Sequence, residues 1–355
     1  LGHFHPLTIK EVRRETADCI SLLFDVPENL KDEFSYHHGQ SLTLRLNING
    51  QEVRRSYSIC SSPLDNELRI AIKKVDQGVF SSYANQSFKA GDILEVMRPS
   101  GKFHATLDRE NKNSYIAFAA GSGITPIFSI IKTTLVTEPN SKFTLVYGNR
   151  NRSSIIFREQ LEALKNKFVS RFRIIHILSR EKMDAPINVG RINKEKCAAL
   201  FEKLLDLNQT AGFFLCGPAE MIFEVKEYLL EHGVDPNKIH FELFGTPVKQ
   251  QNSPVEKSTT ERKSAITIKL DGTSFDFQLA FDSESILDAA LRQGADLPYA
   301  CKGGVCCTCR AKLVEGKVDM TLNYALEPDE LEQGFILTCQ SHPRTEKVVI
   351  DYDVK

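Results

Sequence analysis

Five of the nine cysteines in this 355-residue chain fall between Cys301 and Cys339. In ACKGGVCCTCRAKL, Cys301 is separated from Cys306 by four residues and Cys306 from Cys309 by two, and Cys339 follows in LTCQ. That is the plant-type spacing for a [2Fe–2S] cluster, in which four thiolates are shared two per iron. Three ligands from one loop require a backbone that wraps closely and aims its N–H groups at the sulfides. Gly303 and Gly304, without Cβ atoms, allow this. Cys307 stands between two proposed ligands and is expected to point away. A structural zinc site is the alternative, but it usually draws on two CxxC-type pairs and only one is present. Cys19, Cys60, Cys197 and Cys216 are scattered. An odd cysteine count outside a small secreted scaffold argues against a disulfide framework.

Two further groups could serve redox chemistry. Arg54-Arg55-Ser56-Tyr57-Ser58 ends an alternating run. Arg55 offers a guanidinium to a phosphate, Tyr57 a ring to pack on an isoalloxazine, and Ser58 a hydroxyl near the redox-active nitrogen. Gly78-Val79-Phe80-Ser81 could supply amides and a hydroxyl to a pyrophosphate, and Lys73 is counted with this flavin set. Gly121-Ser122-Gly123-Ile124-Thr125-Pro126 follows a buried strand and opens a helix, where amides and a helix N-terminus hold a dinucleotide pyrophosphate. Pro126 stands where a third glycine would complete Gly-x-Gly-x-x-Gly. The next strand ends in YGNRNRSS. It carries Arg150, Arg152 and Ser154 and shows no acid before Glu159. An acid there would favour NADH and an arginine a 2′-phosphate, so NADPH is predicted over NADH. Cys216-Gly217-Pro218 and Glu242-Leu243-Phe244 bring a thiol, a carboxylate and a ring to the carboxyl edge of the same domain. Cys216 could equally be a buried small hydrophobe.

Three kinds of element must position these groups. Up to about residue 108 the chain shows short alternating segments, such as Leu42–Leu46, Leu68–Ile72 and Ile93–Val96, punctuated by turn residues. That predicts an antiparallel β-barrel for the flavin domain, residues 1–108. Residues 109–247 alternate strand and helix: Tyr115–Ala119, Ile127–Leu135, Thr144–Tyr147, Ser154–Phe168, Arg173–Leu178, Lys194–Leu205, Gly212–Cys216 and Met221–Glu231. Such alternation predicts a doubly wound parallel α/β nucleotide domain. Residues 248–263, VKQQNSPVEKSTTERK, hold too little apolar surface to fold and read as a tether. Residues 264–355 form a third domain, with a hairpin of Ala265–Leu270 and Ser274–Leu279 around Asp271-Gly272 and a helix over Ser285–Gln293.

Charge separates the same pieces. Residues 264–355 carry net −6 and residues 1–263 net +5, for −1 overall, which makes a nucleic-acid binder working through bulk positive charge a poor fit. Hydrophobic residues make up 41% of the chain, but no apolar run reaches the ~20 residues of a membrane span. No signal-peptide pattern opens the chain, so a cytoplasmic protein without a membrane partner is expected. The start at Leu1 rather than Met leads us to expect a few preceding residues. No phosphate loop of the Walker type, zinc-protease helix or nucleophile elbow is present.

Together these motifs resemble the ferredoxin–NADP reductase superfamily fused to a plant-type ferredoxin, over nearly the whole chain. Arg55, Tyr57 and Ser58 fit its flavin motif, Gly121 to Pro126 its nucleotide loop, Cys216-Gly217-Pro218 its nicotinamide-side motif, and Glu242 with Phe244 its closing pair. ESILDAALRQGADLPYACKGGVCCTC, NYALEPDEL, YGNR and HFELFGTP are similar to the reductase family that serves phenylacetyl-CoA ring-epoxidase complexes. The resemblance implies an α+β (β-grasp) fold for the third domain and FAD rather than FMN. It also implies electron flow from NADPH through FAD and [2Fe–2S] to the di-iron oxygenase subunits of a multicomponent complex in phenylacetate catabolism. Ser58, Cys216 and Glu242 are then expected to shape hydride transfer to the flavin. The acidic, tethered third domain is expected to swing between a basic face of the body and the oxygenase. A reductase for another oxygenase is the nearest alternative.

Overall fold

A computed structural model describes residues 3–245 and 262–354. The expected tether therefore lies outside the described residues up to residue 261, and the strand that follows begins at Lys263.

The first sheet contains β1 (Phe4–Thr16), β2 (Cys19–Asp25), β3 (Ser41–Ile48), β4 (Gln51–Ser58), β5 (Leu68–Lys73) and β6 (Ile93–Met97), in the order β4-β3-β6-β1-β2-β5. The β1–β2, β2–β5 and β3–β6 pairs are antiparallel. A bridge from Ile59, just past β4, to Ile70 on β5 draws the two edges together, as closing a barrel requires. Leu7, Ile9, Ile20, Leu22, Leu42, Leu44 and Ile70 fill the interior, and α1 (Val79–Ser87) adds Phe80 and Ala84.

The next domain has a fully parallel sheet of β7 (Ser114–Ala120), β8 (Lys142–Asn149), β9 (Phe172–Leu178), β10 (Thr210–Gly217) and β11 (Ile239–Leu243), in the order β11-β10-β7-β8-β9. Its helices are α2 (Ile124–Thr137), α3 (Arg158–Lys167), α4 (Lys194–Lys203) and α5 (Ala219–Glu231). Chain order reverses between β7 and β10. In a doubly wound sheet, ligands bind at the carboxyl ends of the strands flanking such a switch point. Here those ends carry the Gly121–Pro126 and Cys216–Pro218 segments.

Two helices differ from expectation. Pro126 lies within the first turn of α2, where its missing N–H has no helical partner to lose, so the helix starts at Ile124 rather than Ile127. α3 starts at Arg158 rather than Ser154. An Asn151–Ser154 capping box closes a separate short turn, and Phe157 adopts a left-handed φ of 60° that breaks the helical path.

α2 also fastens this domain to the barrel. Ser129 donates to the Ser61 carbonyl at 2.6 Å, Thr133 and Ser62 share a 2.8 Å hydrogen bond, and Lys132 pairs with Asp65. Cys19, Cys60, Ala71 and Phe103 of the barrel share one core with Ile127, Phe128 and Ile131.

The C-terminal unit has a mixed sheet of β12 (Lys263–Leu270), β13 (Thr273–Ala280), β14 (Arg310–Glu315), β16 (Phe335–Leu337) and β18 (Lys347–Asp351), ordered β13-β12-β18-β14-β16. A smaller pair joins β15 (Val318–Met320) to β17 (Ser341–Pro343). β12 and β18 are parallel and the other pairs of the large sheet antiparallel. α6 (Ile286–Arg292) buries Ile286, Leu287, Ala289 and Ala290 against the sheet, and α7 (Pro328–Glu332) precedes β16. Asp271 and Gly272 both take positive φ, 50° and 72°, the conformation a two-residue hairpin turn needs. This is the expected β-grasp arrangement.

Candidate flavin, nucleotide and iron–sulfur sites

At the switch point the backbone itself is the cradle. A Cβ on Gly123 would lie 2.0 Å from the Cys216 carbonyl oxygen, so this loop meets the end of β10 in a space only glycine fits. Gly121 takes a positive φ of 54°, and Tyr147, wholly buried, donates to its carbonyl at 3.0 Å. Thr125 donates to the Ser122 carbonyl at 3.0 Å, bracing the turn. Gly217 sits against Ala120 and Met221, and Pro218 leads directly into α5. Lys73 comes near the loop from the barrel side, its Nζ 3.6 Å from where a Gly121 Cβ would stand and 3.8 Å from Asp18.

Beside this cradle, the last residue of β4 meets β11. Ser58 donates to Glu242 Oε2 at 2.9 Å, 184 positions apart in the chain. Cys216 is the register partner of Glu242 on the adjacent strand. Glu242 is half-buried and crowded by protein atoms. This desolvation raises its carboxyl pKa to about 7, with the Ser58 hydroxyl opposing the shift. Cys216 is fully enclosed. Burial first, and the Glu242 charge second, push its thiol well above the usual range, so it stays protonated. Phe244 lies just beyond β11 with its ring exposed.

On the barrel, Tyr57 is half-buried with its ring 5.6 Å from that of Phe80, which brings the β4 end beside the Gly78–Ser81 segment. Ser81 Oγ accepts from the Val75 amide at 3.1 Å and lies 3.4 Å from the Gly78 carbonyl, so this hydroxyl shapes its own loop. Arg55 is exposed and donates to the neighbouring Arg54 carbonyl.

Arg150 is exposed at the end of β8. The Ser154 hydroxyl is engaged within its own turn, donating to the Asn151 carbonyl at 2.8 Å and accepting from the Asn151 amide at 3.2 Å. Spacing alone missed Glu181, which arrives from beyond β9 to pair with Arg152 at 3.2 Å. No local signal marks an acid 29 positions downstream; only the β8–β9 pairing brings it there.

In the C-terminal unit, Cys306 Sγ is 3.1 Å from Cys301 Sγ, and the Cys339 thiol is within hydrogen-bonding reach of Cys301 and Cys309. The Cys306 and Cys339 thiols, then the Gly303 and Val305 amides, favour thiolate at Cys301 and hold it well below the usual thiol range. Gly304 has a φ of 72°, and a Cβ there would meet the Leu322 carbonyl at 2.9 Å, so the loop can wrap only with glycine. Cys307 turns away, its Sγ 3.3 Å from the Ala325 carbonyl. Thr338 donates to the Cys309 carbonyl at 3.1 Å and shares a 2.6 Å hydrogen bond with buried Tyr352, fixing two ligand segments together. Among the described residues no three His, Cys, Asp or Glu side chains gather around a single-ion position. A two-iron cluster instead divides its four thiolates into two pairs. The donor set and the wrapped backbone fit such a cluster.

Family models match one stretch of each of the three modules, with Glu242 and Phe244 lying between the second and third stretches. An oxidoreductase FAD-binding domain matches residues 6–105, an oxidoreductase NAD-binding domain residues 118–227, and a 2Fe-2S iron-sulfur cluster binding domain residues 268–344. The chain is 45% identical over 352 residues to a component of the 1,2-phenylacetyl-CoA epoxidase of Escherichia coli K12, covering 99% of this chain and 98% of that one. It is 34% identical to the ferredoxin reductase component of 3-ketosteroid-9-alpha-monooxygenase from Rhodococcus rhodochrous, covering 98% and 96%. Among solved structures, phthalate dioxygenase reductase superposes with a TM-score of 0.59 at 25% identity, covering 98% of both chains. An intact type IV self-sufficient cytochrome P450 monooxygenase shares the fold at TM-score 0.71 and 19% identity, this chain spanning 42% of its length. No helix among the described residues is long and apolar enough to cross a membrane. The chain therefore belongs to the ferredoxin–NADP reductase superfamily, as an FAD- and pyridine-nucleotide-binding oxidoreductase with a C-terminal [2Fe–2S] ferredoxin domain.

Proposed function

We propose that this protein draws electrons from NADPH and delivers them, through FAD and the [2Fe–2S] cluster, to the di-iron oxygenase of a phenylacetyl-CoA epoxidase. The observation that carries the reading is the end-to-end correspondence with the Escherichia coli epoxidase component, which leaves no part of the three-module order unmatched. FAD, when bound, accepts a hydride and releases electrons singly, which suits a two-electron donor feeding one-electron acceptors.

The protein's own contribution is positioning and electrostatics. Arg55, Tyr57 and Lys73 hold the flavin together with the Gly78–Ser81 loop, which the Ser81 hydroxyl shapes from within. Gly121, Gly123, Thr125, Pro126, Gly217 and Pro218 hold the dinucleotide, and Arg150 meets its 2′ end from the turn that the Ser154 hydroxyl braces. Ser58 and Glu242 flank the point where nicotinamide and flavin meet, with Cys216 behind them as a neutral thiol and Phe244 as a covering ring. Cys301, Cys306, Cys309 and Cys339 ligate the cluster. By their composition, residues 248–263 link two domains, 109–247 and 264–355.

Reconstitution tests this directly. The purified protein with NADPH, phenylacetyl-CoA and the oxygenase subunits of such a complex should form the epoxide, whereas steroid or glycine betaine oxygenases should receive little current. Equal support of all three would leave the electron-transfer class standing and remove the partner assignment. A preference for NADH is the second reading, favoured by the Glu181 carboxylate at the Arg152 turn.

A further inference from the structure

One carboxylate of the C-terminal unit is buried without belonging to the ligand set. Glu330, in the short helix α7, is only 1% exposed. Its Oε2 accepts from the Glu327 amide at 3.1 Å, closing the first turn of α7. Its Oε1 lies 2.9 Å from Nε of Arg310, whose side chain is 25% exposed. The Arg310 guanidinium sits over the Phe335 ring, 3.6 Å from its centroid. Arg310 follows Cys309 directly and donates its amide to the Cys307 carbonyl at 3.1 Å. It pairs in register with Leu337, two positions before Cys339. The ion pair therefore ties together the two segments that carry Cys309 and Cys339 where they leave the sheet.

A buried ion pair is a poor way to gain stability, because desolvation offsets most of the attraction and an apolar pair of similar volume would hold the segments as well. What an apolar pair does not offer is control of charge. An iron–sulfur potential follows the net charge around it, since reduction adds one negative charge. We propose that Glu330 is a positioning residue for electron transfer, one that fixes Arg310 against Phe335 and cancels its charge so that the cation does not raise the cluster potential. The proposal rests on the reading that Cys309 and Cys339 ligate the cluster. Without the carboxylate Arg310 stays charged, because a guanidinium does not deprotonate in proteins, and its field favours the reduced cluster. A cluster spared that field gives up its electron more readily to an acceptor beyond it.

The test uses the full-length holoprotein. The cluster potential is read by absorbance and EPR in an anaerobic dye-mediated titration, and cluster loss to a chelator is timed on the same samples. Glu330→Gln should shift the one-electron equilibrium toward the reduced cluster about three- to tenfold, a rise of about 30–60 mV at 59 mV per tenfold. Combining Glu330→Gln with Arg310→Gln removes both charges and should return the equilibrium to within about twofold of the wild type. Both variants should lose the cluster severalfold faster, because the tie between the ligand segments is gone in each. Glu330→Asp keeps the charge on a shorter arm and should combine the wild-type potential with faster cluster loss; a shifted potential there would overturn the charge role even if Glu330→Gln does not load. A potential unmoved or lowered in Glu330→Gln, or raised equally in the double variant, would overturn it too. Wild-type cluster retention in the double variant would overturn the positioning role. A wild-type protein that holds no iron, or a cluster that survives Cys309→Ser, would overturn the ligand reading itself, and this proposal with it.

Discussion

Removing the Ser58 hydroxyl tests the electrostatics of the flavin–nicotinamide junction. Burial raises the Glu242 carboxyl to about 7, and the hydrogen bond from Ser58 is what keeps it from rising further. A hydrogen bond to a charged group is worth roughly 1.5 kcal/mol, which converts to about one pKa unit. Ser58→Ala should therefore carry Glu242 to roughly 8 on the same basis. A negative charge at this point opposes an arriving hydride, so the neutral carboxyl is the productive form. Anaerobic stopped-flow measurement of flavin bleaching by NADPH should then show a rate that falls as pH rises through about 7. The inflection should move up by about one unit in Ser58→Ala and vanish in Glu242→Gln. If Glu242→Gln keeps the wild-type inflection, Glu242 is not the titrating group and the reasoning fails.

The same group gives a stability prediction of opposite sense to that of most carboxylates. Its folded pKa lies above the ordinary 4.5, so the unfolded chain loses the proton first and stability falls as pH rises from about 4.5 to about 7, then levels off. The full shift corresponds to about 3 kcal/mol as an upper bound, because the side chain is only half-buried. Glu242→Gln should flatten that limb in thermal melts; an unchanged slope would refute the linkage. Cys307→Ser should retain the brown colour and the reduced EPR signal, whereas Cys309→Ser should lose both. Loss of the cluster in Cys307→Ser would mean the ligand set is misassigned. Gly123→Ala should abolish or strongly weaken NADPH reduction of the flavin, because the new methyl would meet the Cys216 carbonyl, while dithionite should still reduce both cofactors. Retained NADPH turnover would show that the loop has slack the geometry denies.

Local chemistry made some features legible in the sequence and left others hidden. The cysteine spacing, the Asp271-Gly272 turn and the strand–glycine–helix order depend on neighbouring residues, and the structure places each where that chemistry predicts. The start of α3 was hidden because Phe157 takes a left-handed backbone that its side chain does not announce. The Ser58–Glu242 contact joins strands of different sheets, and spacing could suggest its members but not their hydrogen bond. Glu181 was out of reach for the same reason: the acid that meets the Arg152 turn is delivered by parallel pairing of β8 with β9, not by nearness in the chain. The engaged hydroxyls of Ser81 and Ser154 show the converse, since residues of the right type can be used by the loops that carry them.

An anaerobic NADPH titration of the purified holoprotein, followed by absorbance and EPR with iron and sulfide determined on the same sample, bears most directly on the central claim. Two irons and two sulfides per chain, bleaching of a bound flavin, and a reduced-cluster EPR signal produced by NADPH alone are the predicted results. A colourless, iron-free protein, or a flavin that NADPH reduces while the cluster stays oxidised throughout, would contradict it.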